Sequence, residues 1–159
     1  MKCTFAPSLL LLFACEPSFE LTTAEATSPY DGLVINEVAA AGRPHDWFEL
    51  YNRSDRPIPL AGLSYSDHPQ DPRRRARLGP GELAPGAHLV IELRGGGIRL
   101  GAGEVLALFG PDGTRLDVLD WSEGDAPVGR SYARQWDGSE ELISRATPTP
   151  GAPNGRPSP

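Results

Sequence analysis

The sequence predicts an all-β fold, a sandwich or barrel of short strands, and three observations carry that expectation. Runs of β-forming residues recur along the chain, each bounded by Gly, Pro, Asn or Asp. The 18 glycines and 17 prolines are spread through the 159 residues, as turns between many strands require. No stretch keeps a helical apolar period for three turns.

The expected strands follow in order. "LVINEVA" (Leu33–Ala39) is dense in β-formers, and Asp46–Asn52 alternates Trp47, Glu49 and Tyr51 against Phe48, Leu50 and Asn52. "IPLAGLSYSD" covers Ile58–Asp67, "HLVIEL" His88–Leu93 and "EVLALFG" Glu104–Gly110. "TRLDVLDW" (Thr114–Trp121) and "RSYARQW" (Arg130–Trp136) complete the set. Between two of these runs, "PDGT" (Pro111–Thr114) places Asp112-Gly113 at a hairpin tip. "LAPGAH" (Leu83–His88) is a second tight turn. Phe48, Leu50, Val90, Leu106, Leu108, Leu116 and Val118 are the candidate core.

The front of the chain has another character. A weakly basic start with Lys2 precedes "LLLLFA", which has signal-peptide anatomy and is far shorter than the roughly 20 apolar residues a bilayer span needs. Leu12, Phe13, Ala14 and Cys15 resemble the bacterial lipobox, with Phe13 standing where a small residue is more usual. That resemblance implies cleavage before Cys15 and diacylglyceryl and acyl chains, palmitate among them, on Cys15. Burial of such chains contributes about 0.8 kcal/mol per CH₂, so several chains hold firmly where one is marginal. In that pattern an Asp after the cysteine tends to retain the protein at the inner membrane, so by the same resemblance Glu16 permits export to the outer membrane of the bacterial envelope. The expected organisation is a signal peptide at 1–14, a lipidated cysteine and flexible tether at 15–31, one folded domain at 32–151 and a disordered tail at 152–159. The tether's fifteen or so residues would reach about 20 Å.

The net charge of -6 argues against nucleic-acid binding driven by charge. Lys2 is the only lysine, a bias that fits a GC-rich genome better than a designed arginine surface.

Taken in order, six stretches resemble the bacterial lamin-tail domain. They are "VINEV" (Val34–Val38), "DWFELYNRSDRPIPLAGLSYSD" (Asp46–Asp67), "LAPGAHLVI" (Leu83–Ile91), "LGAGEVLALFGPDGTRLDVLDW" (Leu100–Trp121), "VGRSYARQWDG" (Val128–Gly138) and "ATPTPGAPN" (Ala146–Asn154). Leu63 stands where that family often has tryptophan. The resemblance implies an immunoglobulin-like β-sandwich of lamin-tail type and no catalytic residues.

The residues that could carry chemistry are few. Asn36, Glu37 and Glu49 invite a paired-acid reading, but polar groups tying a strand or loop by hydrogen bonds is the favoured one. Asp67, His68 and Asp71 lie in "SDHPQD", His45 adjoins Asp46, and His88 stands apart; none makes a zinc motif. An Asp-rich loop such as Asp120–Asp125 offers oxygens to a calcium ion but lacks the D-x-[DN]-x-[DN]-G calcium-loop pattern. "RRRAR" supplies Arg73, Arg74, Arg75 and Arg77, a candidate anion-binding loop for lipid phosphates or lipopolysaccharide, set against a plain solvated face. The expectation is therefore a lipid-anchored, non-catalytic binding or structural module at the cell envelope, with no cofactor and no metal. Its partners would be the membrane and an envelope protein or glycan, not nucleic acid. The alternative is an exported metal-dependent hydrolase or an accessory subunit of an exported enzyme.

Overall fold

The computed structural model describes residues 28–42, 45–94 and 97–155. The expected signal peptide, Cys15 and residues 16–27 and 156–159 lie outside the described residues.

The described chain is an all-β sandwich. Its strands are β1 (Leu33–Ala39), β2 (Trp47–Asn52), β3 (Ile58–Pro59), β4 (Ser64–Ser66), β5 (Ala76–Arg77), β6 (Glu82–Leu83), β7 (His88–Glu92), β8 (Glu104–Phe109), β9 (Arg115–Trp121), β10 (Ser131–Arg134) and β11 (Leu142–Ala146). One 3₁₀ turn spans Pro72–Arg74. A five-stranded sheet runs β11-β10-β1-β2-β7, a four-stranded sheet runs β5-β4-β8-β9, and β3 pairs with β6. Every pairing is antiparallel.

The core lies between the two larger sheets. Leu33, Ile35, Val38, Phe48 and Leu50 from the first meet Leu106, Leu108, Leu119 and Trp121 from the second. Phe48 and Tyr65 pack ring to ring across the gap, with centroids 4.8 Å apart. The period of two decides which residues enter. Glu49 pairs with Val90 and Leu50 with Leu89, so Leu89 and Ile91 face the core and Val90 lies on the opposite face. Val118 is likewise exposed while its neighbour Leu119 is buried. Both valines were expected inside; the strands are present but their phase is shifted by one residue. Leu116 is half-buried at the sheet's end.

A β-bulge interrupts β1. Ile35 opposes Leu50 and Glu37 opposes Glu49, so Asn36 is the extra residue. The bulge reverses the alternation: Leu33 and Ile35 point inward before it, Val38 after it. Asn36 and Glu37, adjacent in sequence, then both reach the outer face of the five-stranded sheet.

Four expectations about boundaries are corrected. Ile58–Asp67 is two strands, because Leu60–Leu63 closes a turn with Gly62 at φ +84°. "LISRA" forms β11, an edge strand not expected from the sequence. Ser28 and Tyr30 belong to the domain and not to a tether: the Ser28 carbonyl accepts from Arg56, and Tyr30 packs on the core. Ala152–Gly155 does not begin a disordered tail, since Asn154 is buried and hydrogen-bonded.

Candidate functional site

Two glutamates oppose each other on the outer face of the five-stranded sheet. Glu37 and Glu49 are direct cross-strand partners, and neither has exposed surface. Like charges so placed repel, and burial adds a desolvation cost. The segment 147–155 lies over them and supplies donors. The Thr149 N–H lies 3.3 and 3.2 Å from the two Glu37 oxygens, and the Thr149 hydroxyl donates to Oε2 at 3.1 Å. Ser131 Oγ donates to Glu37 Oε1. The Gly151 N–H donates to Glu49 Oε2 at 2.6 Å, and Asn36 Nδ2 to Oε1 at 3.1 Å.

Asn36 and Asn154 extend this seam. Asn36 Nδ2 also donates to Asp137 Oδ1 at 2.9 Å, and its Oδ1 accepts the Gly138 N–H. Asn154 Nδ2 donates to the Arg134 carbonyl at 2.7 Å, while its N–H donates to Asp137 Oδ1. His88 Nε2 lies 3.2 Å from Asp137 Oδ2, but off the hydrogen-bonding direction. Burial pushes the Glu37 and Glu49 carboxyls above their ordinary 4.5. The donors from Ser131 and Thr149 oppose that shift at Glu37; those from Gly151 and Asn36, together with His88, oppose it at Glu49. A general acid or base must present its carboxyl to a substrate. Each of these four oxygens instead meets a donor from within the chain.

A second polar link joins the sheets. Asp117 of β9 points inward and accepts the Ile35 N–H at 2.7 Å, and Arg134 Nη2 lies 3.2 and 3.0 Å from its two oxygens. Arg134 Nε donates to the Ile35 carbonyl at 2.9 Å. Ile35 lies beyond the short ladder between β1 and β10, and this ion pair satisfies the backbone groups the ladder leaves over.

The four loop arginines do not converge. Arg73 grips Asp71 through Nε and Nη2, at 3.0 and 3.2 Å. Arg74 Nη2 lies 3.8 Å from Asp67 Oδ2. Arg75 stacks on the Phe109 ring at 3.7 Å, and Arg77 is exposed on β5. Arg73 borders one surface cavity, and Arg75 and Arg77 border another.

The remaining candidates separate in the same way. His88 stacks against Tyr51, and Asp46 Oδ2 accepts the Leu100 N–H at 3.2 Å. Asp125 accepts from Ser144 Oγ at 2.6 Å and from the Ser122 N–H at 2.8 Å, and those bonds hold its carboxyl below the ordinary 3.8. Asp71 caps the 3₁₀ turn by accepting the Arg73 N–H. Asp67 and His68 do meet a third group, Glu104, at the start of the neighbouring strand β8; among the described residues this is the one convergent set of His, Asp and Glu ligand atoms. Sequence reasoning missed Glu104, Asp117 and Arg134, whose partners lie tens of residues away.

A scan against protein-family models and searches of curated proteins and of solved structures found no match for this chain.

Proposed function

We propose that this chain is a membrane-anchored lipoprotein whose folded part is a non-catalytic, lamin-tail-like binding or structural module at the bacterial cell envelope. The observation that carries the non-catalytic reading is the closed state of the acid pair. Glu37 and Glu49 spend their oxygens on Thr149, Gly151, Ser131 and Asn36, and the segment bearing two of those partners covers them. Paired carboxylates that cut a glycosidic bond need a gap that admits substrate and water. The anchoring reading rests on "LFAC", with Cys15 as the acylated residue. The scattered arginines favour the lipid over Arg73–Arg77 as the membrane contact, since Arg73 already holds Asp71 and Arg75 is stacked on Phe109.

The experiment is expression of the full-length chain in a Gram-negative host, followed by envelope fractionation and mass spectrometry. An acylated Cys15 at the amino terminus and recovery in the outer-membrane fraction are expected. Cys15→Ser should remain unprocessed and unacylated, whereas replacing Arg73, Arg74 and Arg75 together by Ala should leave membrane recovery unchanged. Cleavage elsewhere with a bare thiol overturns the anchoring reading. A hydrolytic activity abolished by Glu49→Gln in a still-folded protein overturns the non-catalytic one.

A further inference from the structure

We propose that Asp67, His68 and Glu104 form a binding site for one divalent transition-metal ion of the zinc class. Their ligand atoms lie within 4.8 Å of one another. Donors on one zinc ion sit about 3–4 Å apart, given bonds of about 2.0–2.2 Å, so side-chain rotations of roughly an ångström bring this set onto a single ion. His68 Nδ1 and Asp67 Oδ1 are hydrogen-bonded at 2.9 Å, a contact that a bound ion would replace.

The strand pairing creates the set. Ser66 of β4 pairs with Ala107 of β8, so the chain leaving β4 passes beside the start of β8, where Glu104 stands. The parts are held before any ion arrives. Ser66 Oγ accepts the His68 N–H at 2.9 Å, and Glu104 Oε2 accepts the Gly101 N–H at 2.6 Å. Such outer contacts orient metal ligands.

A second observation points to a cation. The Asp67 side chain is only 4% exposed, yet its Oδ2 accepts no hydrogen bond among the described residues; Arg74 Nη2, at 3.8 Å, is the sole arginine nitrogen near it. The Arg74 guanidinium pairs with this carboxylate from 3.8 Å, beyond hydrogen-bonding reach, so Oδ2 keeps a position that a closer cation can take. Asp67 and His68 also border an open cavity of ≈ 790 Å³, which gives an ion a way in. One imidazole and two carboxylates suit zinc better than calcium, and three protein ligands leave a coordination position open to water or to a partner's donor group.

The test is zinc titration of the full-length chain by calorimetry, with histidine ring-proton NMR. One zinc ion should bind per chain, and the His68 signals should shift while those of His45 and His88 stay. His68→Ala and Glu104→Gln should each weaken binding at least tenfold, whereas Asp71→Asn, in the same loop, should bind as the wild type does. Cys3 and Cys15 are present in every variant, so the differences report this site alone. Circular dichroism checks that each variant is folded; Glu104→Gln keeps an oxygen for the Gly101 N–H, so it serves if His68→Ala does not fold. No zinc binding by the wild type, equal binding by folded His68→Ala or Glu104→Gln, or shifts at His45 or His88 in place of His68 each overturn the proposal.

Discussion

Glu49 has a side chain in the middle of a strand and two bound oxygens, one facing Asn36 and one facing the Gly151 amide. Glu49→Ala leaves the Gly151 N–H without an acceptor under a covering segment and Asn36 Nδ2 with Asp137 alone. Stability should fall by about 1–3 kcal/mol, read from urea denaturation. Arg134 should matter more. It is 4% exposed, and without it Asp117 keeps an inward-facing charge that only the Ile35 N–H addresses. Arg134→Ala should cost about 3–5 kcal/mol in the same assay. A loss below 1 kcal/mol would mean that water reaches Asp117 and replaces the guanidinium. These two residues differ in how far they were legible. Glu49 interrupts a strand between Trp47 and Tyr51, and a polar residue on an apolar face announces a hydrogen-bonding role. Asp117 reads as an ordinary polar member of an alternating strand. Its inward turn is set by Ile35, 82 residues earlier, and no local pattern carries that distance.

The segment 147–155 behaves as an element although it has no ladder of its own. Its order comes from acceptors on the sheet: Glu37 takes Thr149, Glu49 takes Gly151, and Asp137 takes Asn154. Ending the chain after Pro148 should therefore lower the melting temperature by many degrees and leave a broad transition, seen by differential scanning calorimetry. An unchanged transition would show that the sheet stands without its cover. "TPTPGAPN" reads as an extended tail because Pro and Gly lack a period, and composition cannot reveal buried carboxylates waiting elsewhere. β11 was hidden for a related reason. Its residues Leu142–Arg145 are exposed, Arg145 sits at φ +57°, and the pattern has no inner face to betray it. β7 and β9 were legible as strands, but Val90 and Val118 look as apolar as Leu89 and Leu119, and only the pairing register chooses between them.

At the scale of the whole molecule, the all-β sandwich was the most legible property, because many short bounded runs admit few other packings. Its stability should depend on pH in a definite direction. Burial raises Glu37 and Glu49 above 4.5, so the folded chain keeps protons that the unfolded chain releases. Stability is then fullest as pH falls to the ordinary carboxylate range and declines as pH rises from 4.5 through the raised values. The surface carboxyls held low by hydrogen bonds, Asp71, Asp112, Asp125 and Glu140, act with the opposite sign below their ordinary values, 3.8 for the aspartates and 4.5 for Glu140, and so in a separate window. The melting temperature should thus be higher just above 4.5 than at neutral pH, and Glu37→Gln with Glu49→Gln should flatten that slope. A wild type that gains stability toward neutral pH would contradict the assignment. The acid pair also bears on synthesis. A ribosome makes Glu37 first and Thr149 112 residues later. Until that stretch emerges, the two strands can pair but their carboxylates stand bare, and the half-made sheet is weakened by its own charge. A chain broken off before Thr149 keeps that weakness permanently. A chain ending before Thr149 should therefore be cut faster than the full chain in limited proteolysis, and equal rates would show that the sheet closes without its cover.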